Sequence, residues 1–265
     1  MVKANYHTHT RRCNHAYGTD EEYVLAAIEA GYTKLGFSDH TPWKYDSDFK
    51  ATMRMDIEGF EDYKNSVLSL KDKYKDQIEI YLGLETEYFP KYMDWYKEFI
   101  KENNIDYVIF GNHYYKTDEL QIYYGYVCKD NKYLELYKDD CINGMKTGIY
   151  SYLCHPDLFM LARSWDEDSI RISEEITDAA IKYDFILEYN LQGSKKALEC
   201  DMVDKLYPHP EFFKMAGRKG CKVIIGVDAH EPLSLLSNKL YMDSVKRLKD
   251  YGCVLLEDIE FKNII

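Results

Sequence analysis

Seven short apolar segments recur along the 265-residue chain, and each closes on or beside a side chain able to hold a metal ion. The segments are VKANYH, KLGFSDH, IEIYLGLETEY, DYVIFGNH, IYSYLCHP, DFILEYN and CKVIIGVDAH, each with several β-branched or aromatic residues, as strands require. Between them run stretches of helical period. TDEEYVLAAIEAG offers Thr19 or Asp20 as N-cap and Gly31 as its stop, and PEFFKMAGRKG begins at Pro210 and closes at Gly220. No low-complexity linker or internal repeat interrupts the alternation, so residues 1–265 are expected to form one α/β domain with a parallel sheet. That many β/α units suit a barrel or a large doubly wound sheet.

The strand ends narrow the choice. They carry His7 and His9, Asp39 and His40, Glu85 and Glu87, His113, His155, Glu188 and Asn190, and Asp228 and His230. In a parallel barrel the carboxyl ends of all strands meet at one mouth, so these residues become neighbours there. Residues two apart on a strand share a side, so His7 with His9, and Asp228 with His230, can each present two donors to one centre. A single histidine on such a strand is more often a packed residue than a ligand. Seven of the eight histidines, however, fall at or just after these ends, and only His209 is left to a structural role. Imidazoles with a few carboxylates suit zinc, iron or manganese, whereas magnesium and calcium prefer oxygen alone.

Composition excludes several other classes. The net charge of −12 has no basic block to offset it, which argues against a nucleic-acid partner. No apolar run reaches the roughly 18 residues of a membrane span, and the first residues do not read as a secretory leader, so a cytoplasmic location is expected. The seven cysteines form no CxxC pair and are odd in number, against a disulfide framework or a zinc ribbon. Cys13 is read as a packing or exposed thiol rather than a ligand. The 26 tyrosines are read as boundary packing, including Tyr114 and Tyr115 after His113.

HTHT at the start, SDHTP at 38–42, GLE at 83–85, GNH at 111–113, CHPD at 154–157 and GVDAH at 226–230, in that order, resemble the PHP (polymerase and histidinol phosphatase) family. The LEYN strand followed by QGSKK, and the later YPHPEF, are similar to its monomeric histidinol-phosphatase branch. The resemblance implies a distorted seven-stranded (β/α)7 TIM-like barrel with three divalent ions, zinc, manganese or iron. One ion would be held by His7, His9, Glu85 and Asp228, a second by His15, His40 and His230, and a third by Glu85, His113 and His155, with Glu85 shared. Arg163 in MLARSW and Lys195 in GSKK are, by the same resemblance, the cations on the phosphate side, and Lys195 stands where relatives usually place an arginine.

Three divalent ions against two carboxylates leave a site charge of about +4, which attracts an anion into an acidic protein. The implied substrate is a small phosphate monoester, foremost L-histidinol phosphate, attacked in line by water that the metals activate. Asp228, His230 or a second metal-bound water could protonate the leaving oxygen, and the sequence does not choose among them. Asp39, facing away from His40 along the strand, is expected to support the ligands or cap a loop, and Glu87 to orient a histidine or lie exposed. The rival readings are a metal-dependent amidohydrolase, which shares HxH and a late Asp but lacks counterparts of His15 and His113; a phosphoesterase acting on nucleotides; and a non-catalytic metal-binding module. The oligomeric state has no signature in the sequence.

Overall fold

Local signals set the element boundaries in the computed structural model, which describes residues 3–202 and 206–262. The strands are β1 (Ala4–Asn5), β2 (Lys34–His40), β3 (Glu79–Thr86), β4 (Tyr107–Phe110), β5 (Tyr152–Leu153), β6 (Ile186–Asn190), β7 (Lys222–Gly226) and β8 (Val254–Leu256). The helices are α1 (Asp20–Glu29), α2 (Phe60–Lys73), α3 (Met93–Glu102), α4 (Tyr124–Val127), α5 (Asn131–Thr147), α6 (Glu167–Lys182), α7 (Leu191–Glu199), α8 (Pro210–Lys219) and α9 (Asn238–Asp250). Helix α1 opens with a capping box in which Thr19 and Glu22 satisfy each other's backbone N–H. Pro210 opens α8, and Gly220, at φ +73°, closes it.

All strands are parallel and paired in chain order, β1 to β8, in one curled sheet. Among the described residues the sheet has eight strands where the sequence suggested seven. Strand β8 pairs Val254 to Leu256 with Lys222 to Ile224 of β7. It escapes sequence reading because it is three residues long and shows no alternation; Glu257, directly after it, is not among the residues lining the cluster at the mouth. The two ends of the sheet therefore differ. At the amino end β8 lies beside β7, whereas at the carboxyl end the chain after β1 meets the chain after β7 directly. His9 N–H donates to Ala229 O at 2.9 Å, Ala229 N–H donates to His7 O at 3.2 Å, and Thr8 and Ala229 form a parallel bridge. The Asn5 side chain completes the join by accepting from Val227 N–H at 2.9 Å.

Several strands are shorter than their sequences suggested, and the loss falls at the mouth. The first expected strand began at Val2, which lies outside the described residues, and its HTH end leaves regular pairing at Tyr6. His155 and Asp228, two residues beyond β5 and β7, take positive φ values of +29° and +52°, which turn the backbone out of the extended direction at the carboxyl end of the sheet.

The core is layered. One large cluster fills the space between the sheet and the helices, and a smaller one, with Tyr6, Tyr107, Ile109, Tyr152, Cys154 and Ile224, fills the sheet's concave interior. Phe261 stacks on Tyr107 at 4.6 Å between centroids, and Asp258 takes hydrogen bonds from Tyr6 and Lys34, so the C-terminal segment stoppers the amino end. Access is left to the carboxyl end. All seven cysteines are unpaired thiols, and no helix among the described residues is long and apolar enough to cross a membrane.

One buried carboxylate in this scaffold gives a pH test. Burial pushes the Asp140 carboxyl up to about 6, with Asp139 adding to the rise and the hydrogen bond from Tyr124 opposing it. A carboxyl raised by folding favours the native state below its unfolded value and loses that contribution as pH rises through about 6. Asp140→Asn should therefore raise unfolding free energy at pH 8 by about 1–3 kcal/mol, with the gain shrinking as pH falls from 6.5 to 4. Urea melts across that range check it, and a gain independent of pH would contradict the assignment.

Candidate metal centre

The carboxyl ends of the strands deliver one continuous cluster. His7, His9, His40, Glu85, His113, His155 and Asp228 are buried, His230 is half-buried and His15 is exposed. Eight of these residues line a cavity of about 260 Å³, together with Met53, Tyr123, Leu158, Gln192 and Tyr207. His7 lies beneath its floor.

Glu85, at the end of β3, occupies the centre. Its Oε2 lies 3.5 Å from His7 Nε2, 3.4 Å from His9 Nε2 and 3.0 Å from His40 Nδ1. Its Oε1 faces the other way, 3.4 Å from His113 Nε2 and 3.0 Å from His155 Nε2. Gly111 makes room for this: a Cβ there would come within 2.2 Å of Glu85 Oε1 and 2.6 Å of the His113 ring. The GNH motif thus has a steric reason.

The spacing fits metal ions. His7 Nε2, His9 Nε2, Glu85 Oε2 and Asp228 Oδ1 lie 3.2–3.5 Å apart in every pair that includes an imidazole. A regular tetrahedron of that edge has its centre about 2.0–2.1 Å from each corner, the length of zinc bonds to nitrogen and oxygen. His113 Nε2 and His155 Nε2 are 3.3 Å apart and share Glu85 Oε1, which gives a second three-cornered set. Asp228 Oδ1 and His40 Nδ1 are buried with no hydrogen-bond partner, as donors awaiting an ion would be.

A third grouping is looser. His9, His40 and His230 bring donor atoms within 4.8 Å of one another, as do Cys13, His15 and His230. The His9 and His230 rings stack at 4.2 Å, and those of His15 and His230 lie 4.7 Å apart. His15, His40 and His230 therefore converge on one side of His9. Cys13 is fully buried beside them rather than exposed.

The outer nitrogens show how the rings are aimed. His7 Nδ1 meets Glu188 Oε1 at 2.7 Å, His113 Nδ1 meets Glu87 Oε1 at 3.1 Å, His15 Nδ1 meets Cys13 O at 2.7 Å and His230 Nδ1 meets Asp228 O at 3.0 Å. A ring that donates from Nδ1 keeps its Nε2 lone pair for the cavity. Asp39 sits 3.5 Å from His9 Nδ1 and accepts from Thr10 N–H, so it supports a ligand, as expected, and Glu87 orients a histidine rather than lying exposed. Asn190 ties two carboxylates together, donating to Glu188 Oε2 at 2.9 Å and to Asp228 Oδ2 at 3.1 Å.

The electrostatics are those of opposed charges packed out of water. Burial alone would favour neutral Glu85 and Asp228, but the surrounding imidazoles hold both well below the usual carboxylate range. Burial works against protonating His9 too, yet Asp228, Asp39 and Glu85 lift it to about 9. His40 is pushed down to about 3 by burial, and His230 to about 4 by burial and the charge of His9. His40 and His230 are thus neutral near pH 7, the form a metal requires.

Two expected residues are not brought to the cavity wall. The Arg163 guanidinium donates to Cys128 O at 3.1 Å, Asn131 at 3.0 Å and Asp166 at 2.6 Å, which fixes it to the start of α6. Lys195, on α7, pairs with Glu231 at 2.7 Å on the rim. Tyr114 packs on Tyr123, which itself faces the cavity. Sequence reasoning named Glu188 and Asn190 without a role, although their i, i+2 spacing on β6 placed them on one side. It gave no sign of Tyr123 or Met53, and it quoted Gln192 and Tyr207 only as the first residues of QGSKK and YPHPEF, without a role; these four reach the cavity from irregular segments and a helix start.

Residues 5–192 match the model of the PHP domain. The chain belongs to the PHP domain family. Asp228 and His230 lie beyond the matched span, but a Deinococcus radiodurans protein named "Probable histidinol-phosphatase" is 28% identical over 255 residues, 93% of this chain and 92% of its own length. The histidinol-phosphatase of Bacillus subtilis is 26% identical over 136 residues, 49% of each chain. Among solved structures, the histidinol phosphate phosphatase of Lactococcus lactis, complexed with zinc, L-histidinol and phosphate, has a TM-score of 0.71 at 20% identity. The superposition covers 99% of this chain and 97% of that one, so the two share a fold.

Gly226 provides a test of the His7 support. A Cβ at that position would sit 1.8 Å from Glu188 Oε1, so Gly226→Ala must displace the carboxylate that aims His7. Zinc affinity is expected to fall about 10- to 100-fold, the usual effect of losing such a partner. Chelator competition measures it, and unchanged affinity in the folded variant would show that His7 needs no orienting carboxylate.

Proposed function

We propose that residues 1–265 form one domain that hydrolyses L-histidinol phosphate to L-histidinol and phosphate with three bound divalent ions. The observation that carries this reading is Glu85, whose two oxygens face separate sets of imidazoles at 3.0–3.5 Å. The names of the full-length relative from Deinococcus radiodurans and of the Lactococcus lactis enzyme support the choice of substrate. A cytoplasmic location belongs to the same reading.

His7, His9, Glu85 and Asp228 would hold one ion, His15, His40 and His230 a second, and Glu85, His113 and His155 a third. Divalent ions bound there supply positive charge to the phosphate oxygens and lower the pKa of water, with zinc, manganese or iron suited to these donors. The chain's own part is to position and to exclude. Met53, Leu158, Tyr123 and Tyr207 give the cavity a largely apolar and aromatic wall, and Gln192 adds one amide, an arrangement suited to a flat ring with polar edges.

The leaving oxygen must gain a proton. Asp228 and His230, on the cavity wall, are the side chains we assign to that transfer; both are unprotonated near pH 7, so they would pass a proton from water to the leaving oxygen rather than hold one beforehand. Arg163 and Lys195 remain candidates for steadying the phosphate, and each must first release a carboxylate, Asp166 and Glu231 respectively. The metal ions carry most of the anion's charge in this account.

The test is phosphate release from a panel of histidinol phosphate, sugar phosphates, nucleoside monophosphates and a diester. Histidinol phosphate should exceed every other member in kcat/KM by at least about tenfold, equivalent to roughly 1.4 kcal/mol in the transition state. Preference for a nucleotide would leave the metal chemistry in place and overturn the substrate. His9→Ala and chelation should both abolish turnover, whereas Arg163→Ala and Lys195→Ala should each cost less than about tenfold. Full activity in metal-stripped protein would contradict the mechanism.

A further inference from the structure

Behind His113 lies a buried charge network that no ligand motif includes. Arg54 belongs to the irregular segment between β2 and α2, yet it is only 2% exposed. Its Nη2 donates to Glu87 Oε1 at 2.7 Å, its Nη1 to Glu87 Oε2 at 3.1 Å and to Thr41 O at 3.0 Å, and its Nε to Asp118 Oδ2 at 2.9 Å. Trp43 Nε1–H also donates to Glu87 Oε2, at 3.1 Å. Tyr45 OH closes the far side, 2.7 Å from both oxygens of Asp118.

A guanidinium out of water is costly unless its donors are satisfied, and here four of the five N–H directions have acceptors within 3.1 Å. The planar fork spans Glu87 and Asp118 at once, which a lysine could not do. One positive group between two carboxylates leaves negative charge facing the remaining neighbour, His113, whose Nδ1 lies 3.1 Å from Glu87 Oε1. That contact makes Nδ1 the donor and frees Nε2 toward Glu85 and His155. The same guanidinium grips the backbone immediately after His40, and Met53, its neighbour in the chain, lines the cavity.

We propose that Arg54 is a positioning residue, holding Glu87 so that His113 presents Nε2 to the ion shared by Glu85 and His155, and docking the 41–56 segment over the cavity in the same act. This rests on the reading of the cluster as a three-ion centre. It differs from that reading in assigning a specific ion-binding role to a loop arginine that touches neither metal ligand nor substrate.

Glu87→Gln and Arg54→Lys test it in full-length protein stripped of metal and titrated with zinc against a chelator. Wild type should take three ions. In Glu87→Gln one of them should weaken about 10- to 100-fold while the other two stay within about threefold. Arg54→Lys, which keeps the charge but loses the fork, should show a smaller loss at the same site. Activity of both variants on histidinol phosphate should recover in excess zinc, which a defect of folding would not allow. Three undiminished ions in folded variants, equal weakening of all three, or failure of both variants to fold would each overturn the proposal. Fewer than three ions in wild type would instead defeat the three-ion reading and this inference with it.

Discussion

The arrangement depends on one carboxylate placed where water cannot reach it. Glu85 is 1% exposed and surrounded by five imidazoles, with two on one oxygen and three on the other. An isolated carboxylate would be neutral in such a place, so the five histidines, from four strands or their extensions, are as necessary to its charge as it is to their convergence. The sheet makes this possible. Strand β3 lies between β2 and β4, so its end can receive His40 from one side and His113 from the other. The direct join after β1 and β7 then brings His7, His9 and Asp228 across the mouth.

Support for the ligands extends outward in a consistent pattern. Glu188 behind His7, Asp39 behind His9 and Glu87 behind His113 are all fully buried, and each is itself held by further donors. Such outer contacts fix the ring tautomer and remove rotational freedom before any ion arrives. In the proposed three-ion centre, residues well beyond the ligand set would therefore help set the affinity for metal. The break in regular backbone at His155 and Asp228 belongs to the same economy, since left-handed φ values there aim the side chains inward at a local energetic cost.

Much of the clustering was legible in the sequence because donors recurring at strand ends follow rules of spacing. HTH and DAH brought donors together in pairs, although both lie past the regular strands and Asp228 is left-handed, and the recurrence of donors at strand ends located the mouth. The capping box at Thr19 and the Pro210 and Gly220 boundaries were equally readable, being local hydrogen-bond chemistry. Strand β8 was not, because three half-exposed residues lack both alternation and a terminal ligand. Arg54 and Tyr123 were not, because long-range pairing or cavity exposure from an irregular segment leaves no period in the sequence. Arg163 and Lys195 illustrate the opposite case: resemblance marked them, but neighbouring carboxylates engage them away from the cavity wall.

Anomalous diffraction from zinc-loaded crystals tests the central claim most directly. The account predicts three peaks within the strand-end cluster, two of them on opposite sides of the Glu85 carboxylate. One peak, or peaks that leave either Glu85 oxygen without an ion, would contradict the shared-carboxylate centre on which the rest is built.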